Sequence, residues 1–186
     1  MRSDPKVMNT LNTHLRNAFA AGGALLLATS VWAGKPHQHG VAQLDIAVEA
    51  GKLTIDFESP LDNLVGFERA PRTQAERQRS DAAVATLKAA DTLLRIDPAA
   101  RCTLVKVTLN SAPLQLGTPD PKDSAEGHAD LDASFEFACK SAPGFVEVGL
   151  FDAFARLQRI EVQTATARGQ TRAILKRPDR RVGLTR

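Results

Sequence analysis

Strict two-residue alternation of apolar and polar side chains runs through this chain, and no other feature limits its fold so strongly. Between residues 41 and 49, Ala42, Leu44, Ile46 and Val48 fall on one side and Gln43, Asp45, Ala47 and Glu49 on the other. Leu53, Ile55 and Phe57 then alternate with Thr54, Asp56 and Glu58. Successive side chains of a strand point to opposite faces, so each run reads as a strand with one dry and one wet face. The link Glu49-Ala50-Gly51-Lys52 carries a glycine, which predicts an antiparallel hairpin, and Ser59-Pro60 ends its second strand. Farther on, Leu131, Ala133, Phe135, Phe137 and Cys139 alternate with Asp130, Asp132, Ser134 and Glu136. Thr103, Val105, Val107 and Leu109 follow the same period, and residues 145–150, 159–164 and 171–176 supply three further strand candidates. A short helical turn is expected at 151–157, between the first two of these.

One segment breaks the period. Thr73 followed by Glu76 is a capping-box pattern behind Pro71, and Ala83, Leu87, Ala90 and Leu94 then recur at helical spacing. The helix is expected to stop near Asp97, because the residue before Pro98 is pushed out of the α region. Residues 110–127, rich in Pro, Gly, Ser and Asp, read as an exposed loop. The pattern predicts an α+β fold: a single domain over 34–186, with an antiparallel sheet and one main amphipathic helix packed on it.

Residues 18–33 (AFAAGGALLLATSVWA) form an apolar run behind Arg2, Lys6 and Arg16 and end in Val31-Trp32-Ala33. A basic lead, a short apolar stretch and small residues at its end describe a cleavable signal peptide over 1–33. Met8 offers a second start that shortens the basic lead. An uncleaved anchor fits less well, since the run is short for a bilayer and carries Gly22, Gly23 and Thr29. The expected location is the periplasm, with no membrane span after cleavage.

Removing the leader takes away Arg2, Lys6, Arg16 and Asp4, leaving 21 basic against 20 acidic residues. That balance gives no reason to expect a nucleic-acid partner. The basic C-terminal stretch LKRPDRRVGLTR reads as a solvated tail. In an oxidising compartment the only two cysteines, Cys102 and Cys139, are expected to form a disulfide.

Two of the four histidines, His37 and His39, stand two residues apart in KPHQHG. If the first strand extends backwards from Val41, both rings project from its wet face and reach one ion. His128, Asp130 and Asp132 occupy alternate positions at the start of the strand opposite its Phe135/Phe137 face. Imidazoles with a carboxylate make a plausible zinc set, provided the two strand beginnings lie close in space. A terminal-amine copper clip is excluded, because Pro36 has no N–H to deprotonate. The competing reading is a solvated lead-in and ordinary turn chemistry at the aspartates. No G-x-S-x-G elbow, phosphate loop or H-E-x-x-H is present, so catalysis is not expected.

The order HQHGVAQLDIAVEAGKLTIDFESPLDNLVGFERAP, a T-x-x-E helix, CTLVKVTL, a polar loop, GHADLDASFEFAC and VGLFDAFARLQRIEVQ resembles the periplasmic ZrgA-type zinc-binding proteins of Gram-negative bacteria. The resemblance runs from His37 to about Leu184, and SPLDNLVGFE and GHADLDASFEF are its most specific blocks. It implies a periplasmic protein that binds zinc and assists its acquisition, with a metal uptake system as partner. On it, the ligand candidates are His37, His39 and His128, with Asp130 as the carboxylate. Two departures stand out. The loop GTPDPKDSAE contains no histidine, where zinc-binding members carry a long His/Asp/Glu-rich loop. Arg69 stands after NLVGFE, where relatives can carry a histidine, and a guanidinium has no free lone pair for a metal. The alternative function is a metal-free structural or interaction domain in which Asn63, Gly66, Phe67 and Glu68 serve folding or docking.

Overall fold

The computed structural model describes residues 38–118 and 129–184. The expected signal peptide, His37, His128 and half of the expected exposed loop (119–127) lie outside the described residues.

The hairpin follows the alternation. β1 (Val41–Glu49) and β2 (Lys52–Pro60) pair antiparallel from Gln43 opposite Glu58 to Glu49 opposite Lys52. β5 (Asp130–Ala138) pairs antiparallel with β2, and β4 (Thr103–Asn110) with β5. β7 (Arg159–Thr166) and β8 (Gly169–Lys176) complete a six-stranded sheet in the order β4-β5-β2-β1-β7-β8. Three short strands, β3 (Leu94–Ile96), β6 (Phe145–Val148) and β9 (Arg181–Gly183), form a second, antiparallel sheet. β9 carries no alternation long enough to be seen in the sequence.

The expectation of a purely antiparallel sheet is corrected within its interior, where β1 and β7 run parallel. The cause is local. The Gly40 carbonyl accepts both the Gln158 N–H at 2.8 Å and the Arg159 N–H at 2.9 Å. That clamp sets the entry of β7 beside the entry of β1, so both strands leave in the same direction. A parallel pair needs a long crossover, and the whole stretch from β2 to β7 supplies it.

The single main helix is also corrected. α2 (Gln74–Lys88) is the long one, and α1 (Leu61–Val65), α3 (Ala90–Leu93) and α4 (Leu150–Ala153) are short. The capping box forms as expected: Thr73 Oγ1 accepts the Glu76 N–H, and Glu76 Oε2 accepts the Thr73 N–H, both at 3.2 Å. The helix does not run on to Asp97. Ala89 leaves the helical region, and Leu94 pairs with Val148 as a strand. The Gly149 N–H donates to the Leu93 carbonyl at 2.6 Å, and a Cβ at Gly149 would stand 3.3 Å from that oxygen. Sheet pairing thus overrides a helical stripe that the sequence carries through Ala90.

Leu44, Ile46, Leu53, Ile55, Phe57, Phe135, Phe137, Ile160 and Val162 form the dry face of the large sheet. Leu61, Leu87, Leu93, Leu150 and Leu157 close over it. β4 departs from its predicted phase. A bulge between Leu104 and Lys106 turns Val105 outward, 65% exposed, while Leu104 packs against the core opposite Phe137. Cys102 and Cys139 form the expected disulfide, bonded at 2.03 Å, which ties the start of β4 to the end of β5. Both cysteines are half-buried against the core. Among the described residues no helix is long and apolar enough to cross a membrane.

Candidate metal site

α1 begins directly after the Pro60 end of β2, and this places Asn63 beneath the start of β1. Asn63 is buried and its amide is fully used. Its Oδ1 accepts the Gly40 N–H at 2.5 Å, and its Nδ2 donates to the Val41 carbonyl at 2.8 Å and to Ser59 Oγ at 3.1 Å. Gly40 takes φ +79°, a conformation that side-chain-bearing residues rarely adopt, and a Cβ there would meet Gln158 at 3.2 Å. The chain therefore turns sharply at residues 39–40 rather than extending β1 backwards. His39 sits in this turn, so its position does not follow from strand alternation.

The His39 ring is 63% exposed and stands between two carboxylates. Its Nε2 lies 2.8 Å from Glu68 Oε1, and its Nδ1 lies 4.0 Å from Asp62 Oδ2. Glu68 reaches the ring because α1 ends at Gly66, whose φ of +86° reverses the chain and lets its N–H donate to the Asp62 carbonyl at 3.0 Å. Asp62 is held from the far end of the fold. Arg156 places NH2 at 2.9 and 2.7 Å from the two carboxylate oxygens, and its Nε 2.9 Å from the Asp62 backbone carbonyl. Phe67 lies between the guanidinium groups of Arg69 and Arg79, 5.2 and 5.7 Å from its ring centre.

Arg69 is committed to α2. It donates to both Glu76 carboxylate oxygens, at 3.0 and 2.7 Å. That bond, then the Arg72 and Thr73 N–H groups, hold the Glu76 carboxyl at a pKa of about 2 against some opposing desolvation. A residue that replaces a possible ligand thus braces the loop carrying Glu68.

Of the residues nominated from sequence, His39 and Glu68 meet directly, although Glu68 was nominated for folding or docking. Asp130 opens β5 opposite Pro60, and the Ala129 carbonyl accepts the Leu61 N–H at 2.8 Å. Asp130 has interactions of its own and is not a free carboxylate. His37 and His128 lie outside the described residues. Asp62 and Arg156 were missed; the only available signal was the acid within SPLDNLVGFE. Among the described residues no cluster of three or more His, Cys, Asp or Glu can hold a metal ion. The donors at hand are one imidazole and one carboxylate, a chemistry that suits zinc but leaves a tetrahedral shell half filled.

Residues 36–184 match the family model described as ZrgA family zinc uptake protein. No individual curated protein matches the chain. The family description names zinc uptake and no enzymatic reaction, and together with the disulfide it is consistent with a protein working outside the cytoplasm.

Proposed function

Because this chain belongs to the ZrgA family of zinc uptake proteins, we propose that it is a periplasmic accessory protein that binds zinc and hands it to an uptake system. A signal peptide over residues 1–33 delivers it there. The ion is cargo, held at one small site by His37, His39 and His128, with a carboxylate completing the shell. Asp130 is the carboxylate nominated from sequence, and Glu68 is the one in contact with His39.

The observation that carries this reading is the His39 ring with its Nε2 in contact with Glu68 at 2.8 Å and its Nδ1 facing Asp62 at 4.0 Å. A ligating histidine gains basicity and a fixed orientation when its second nitrogen faces a carboxylate. Arg156 neutralises Asp62 and restrains it, so Asp62 suits an orienting role and Glu68 a binding one. Both His39 and Glu68 are exposed, which fits a site that must release its ion as well as take it up. The absence of histidines from GTPDPKDSAE limits the proposed capacity to a single ion.

Calorimetric titration of zinc into the purified protein tests the proposal beside a His37→Ala/His39→Ala double variant. One-to-one binding that the double variant loses is the expected result. No heat above buffer, or equal heat from both proteins, overturns it and leaves a metal-free interaction domain.

A further inference from the structure

The six-stranded sheet has two edges, and the fold treats them differently. β4 is stapled at its start by the Cys102–Cys139 bond, bulged near Val105, and followed by the Ser111–Leu116 bridge. Bulges of this kind blunt an edge against further pairing. β8 has no such device. It pairs with β7 in unbroken register, from Thr166 opposite Gly169 to Arg159 opposite Lys176, without bulge or proline.

The two-residue turn at Ala167-Arg168 makes Thr166 and Gly169 a hydrogen-bonded pair. Alternation along an antiparallel ladder then aims the backbone groups of Gln170, Arg172, Ile174 and Lys176 away from β7. Every residue of β8 except Leu175 is exposed, and Ile174 is 58% exposed. β8 contains no acid, whereas Arg168, Arg172 and Lys176 line it or its turn. Across a groove of about 290 Å³ stands Arg181 of β9, itself paired with Glu147 at 3.4 Å, with Val182 and Leu184 on the groove wall. β9 is itself an edge of the small sheet.

We propose that the free edge of β8 accepts an extended acidic segment of a partner polypeptide as a seventh strand. The segment's backbone pairs with Gln170, Arg172, Ile174 and Lys176, and one of its apolar side chains covers Ile174. Its carboxylates answer Arg172 and Lys176. A second copy of this chain answers the edge poorly: β8 carries no acid, pairing it with itself about Arg172 sets Arg172 against Arg172 and Arg168 against Lys176, and pairing about Ala173 leaves both cations opposite neutral residues. Like charges directly opposite destabilise a ladder. A guard of one sign therefore favours a strand of the opposite sign over a like one.

The probe is the seven-residue peptide Thr-Glu-Thr-Val-Thr-Glu-Thr, acetylated and amidated, whose two Glu and central Val share one face at the spacing of Arg172, Ile174 and Lys176, compared on the purified protein with the counterpart carrying Lys in place of Glu. Expected is slowed amide hydrogen exchange, tenfold or more, at Gln170, Arg172, Ile174 and Lys176 with the acidic peptide alone. Arg172→Glu is expected to weaken binding at least tenfold. Ile174→Pro removes an N–H from the free side while leaving the β7 ladder intact, and is expected to do the same. If circular dichroism shows Ile174→Pro unfolded, Arg172→Glu decides the matter. Absence of protection, equal binding of both peptides, or concentration-dependent self-association through β8 overturns the proposal.

Discussion

Asn63 and Gly40 lie 23 residues apart and are joined by a buried hydrogen bond, with the side chain of Asn63 serving as acceptor for the backbone of Gly40. The same amide binds Val41 and Ser59. The turn that carries His39 is thus fixed to α1, and the stability of the fold and the placement of the candidate ligand depend on one side chain.

Asn63→Ala is expected to destabilise the protein by about 2–3 kcal/mol, because it strands the Gly40 N–H and the Val41 carbonyl without partners in a buried setting. Urea denaturation measures this, and a loss below about 0.5 kcal/mol would place the lock elsewhere. Asn63→Asp keeps the acceptor for Gly40 but sets a carboxylate against the Val41 carbonyl. It is expected to destabilise as well, most strongly above the carboxylate pKa.

Glu76 gives the protein an acid-sensitive joint. Its carboxyl is held at about 2 in the folded state, below the ordinary value of 4.5, chiefly by Arg69. A depressed carboxylate stabilises the fold above its unfolded pKa, and that contribution fades as pH falls towards the folded value. The difference in melting temperature between the native protein and Arg69→Ala is therefore expected to be constant above about pH 5.5 and to shrink between about 4.5 and 2. A difference that stays flat across that window would mean the pair contributes nothing to folding.

The bulge in β4 makes a paired test. Val105 faces solvent while Leu104 packs on the core. Val105→Ala is expected to shift stability by less than about 0.5 kcal/mol, and Leu104→Ala to cost about 1–3 kcal/mol. Equal costs, or the reverse order, would restore the uninterrupted alternation that the sequence suggests.

That strand shows where the sequence was readable and where it was not. Ala42, Leu44, Ile46, Leu53, Ile55, Phe57 and Leu131 to Phe137 gave their burial away, because period two leaves one face no alternative when a core must be filled. The capping box at Thr73 and Glu76 was equally legible, since both partners lie within one turn. A bulge shifts the phase by one residue without altering composition, so Val105 looked internal. The helical stretch stops at Leu94 through pairing with Val148 and the Gly149 N–H on Leu93, which no local window contains. The site divides in the same way. His39 stands out by residue type, but Asp62 reaches it from α1, Glu68 through the Gly66 turn, and Arg156 from beyond β6.

The parallel pairing of β1 with β7 also fixes an order of events. β1 meets β2 almost as soon as both are made, but its other neighbour lies over a hundred positions downstream. During synthesis the antiparallel portion can form first, with the outer side of Val41–Glu49 bare until the last quarter of the chain arrives. Such distant pairing is slow, and a waiting strand edge is a template for a wrong partner. The seam between β1 and β7 has the longest wait between its two strands, which makes the interval before β7 emerges the time at which this protein is most exposed to aggregation and most in need of a chaperone.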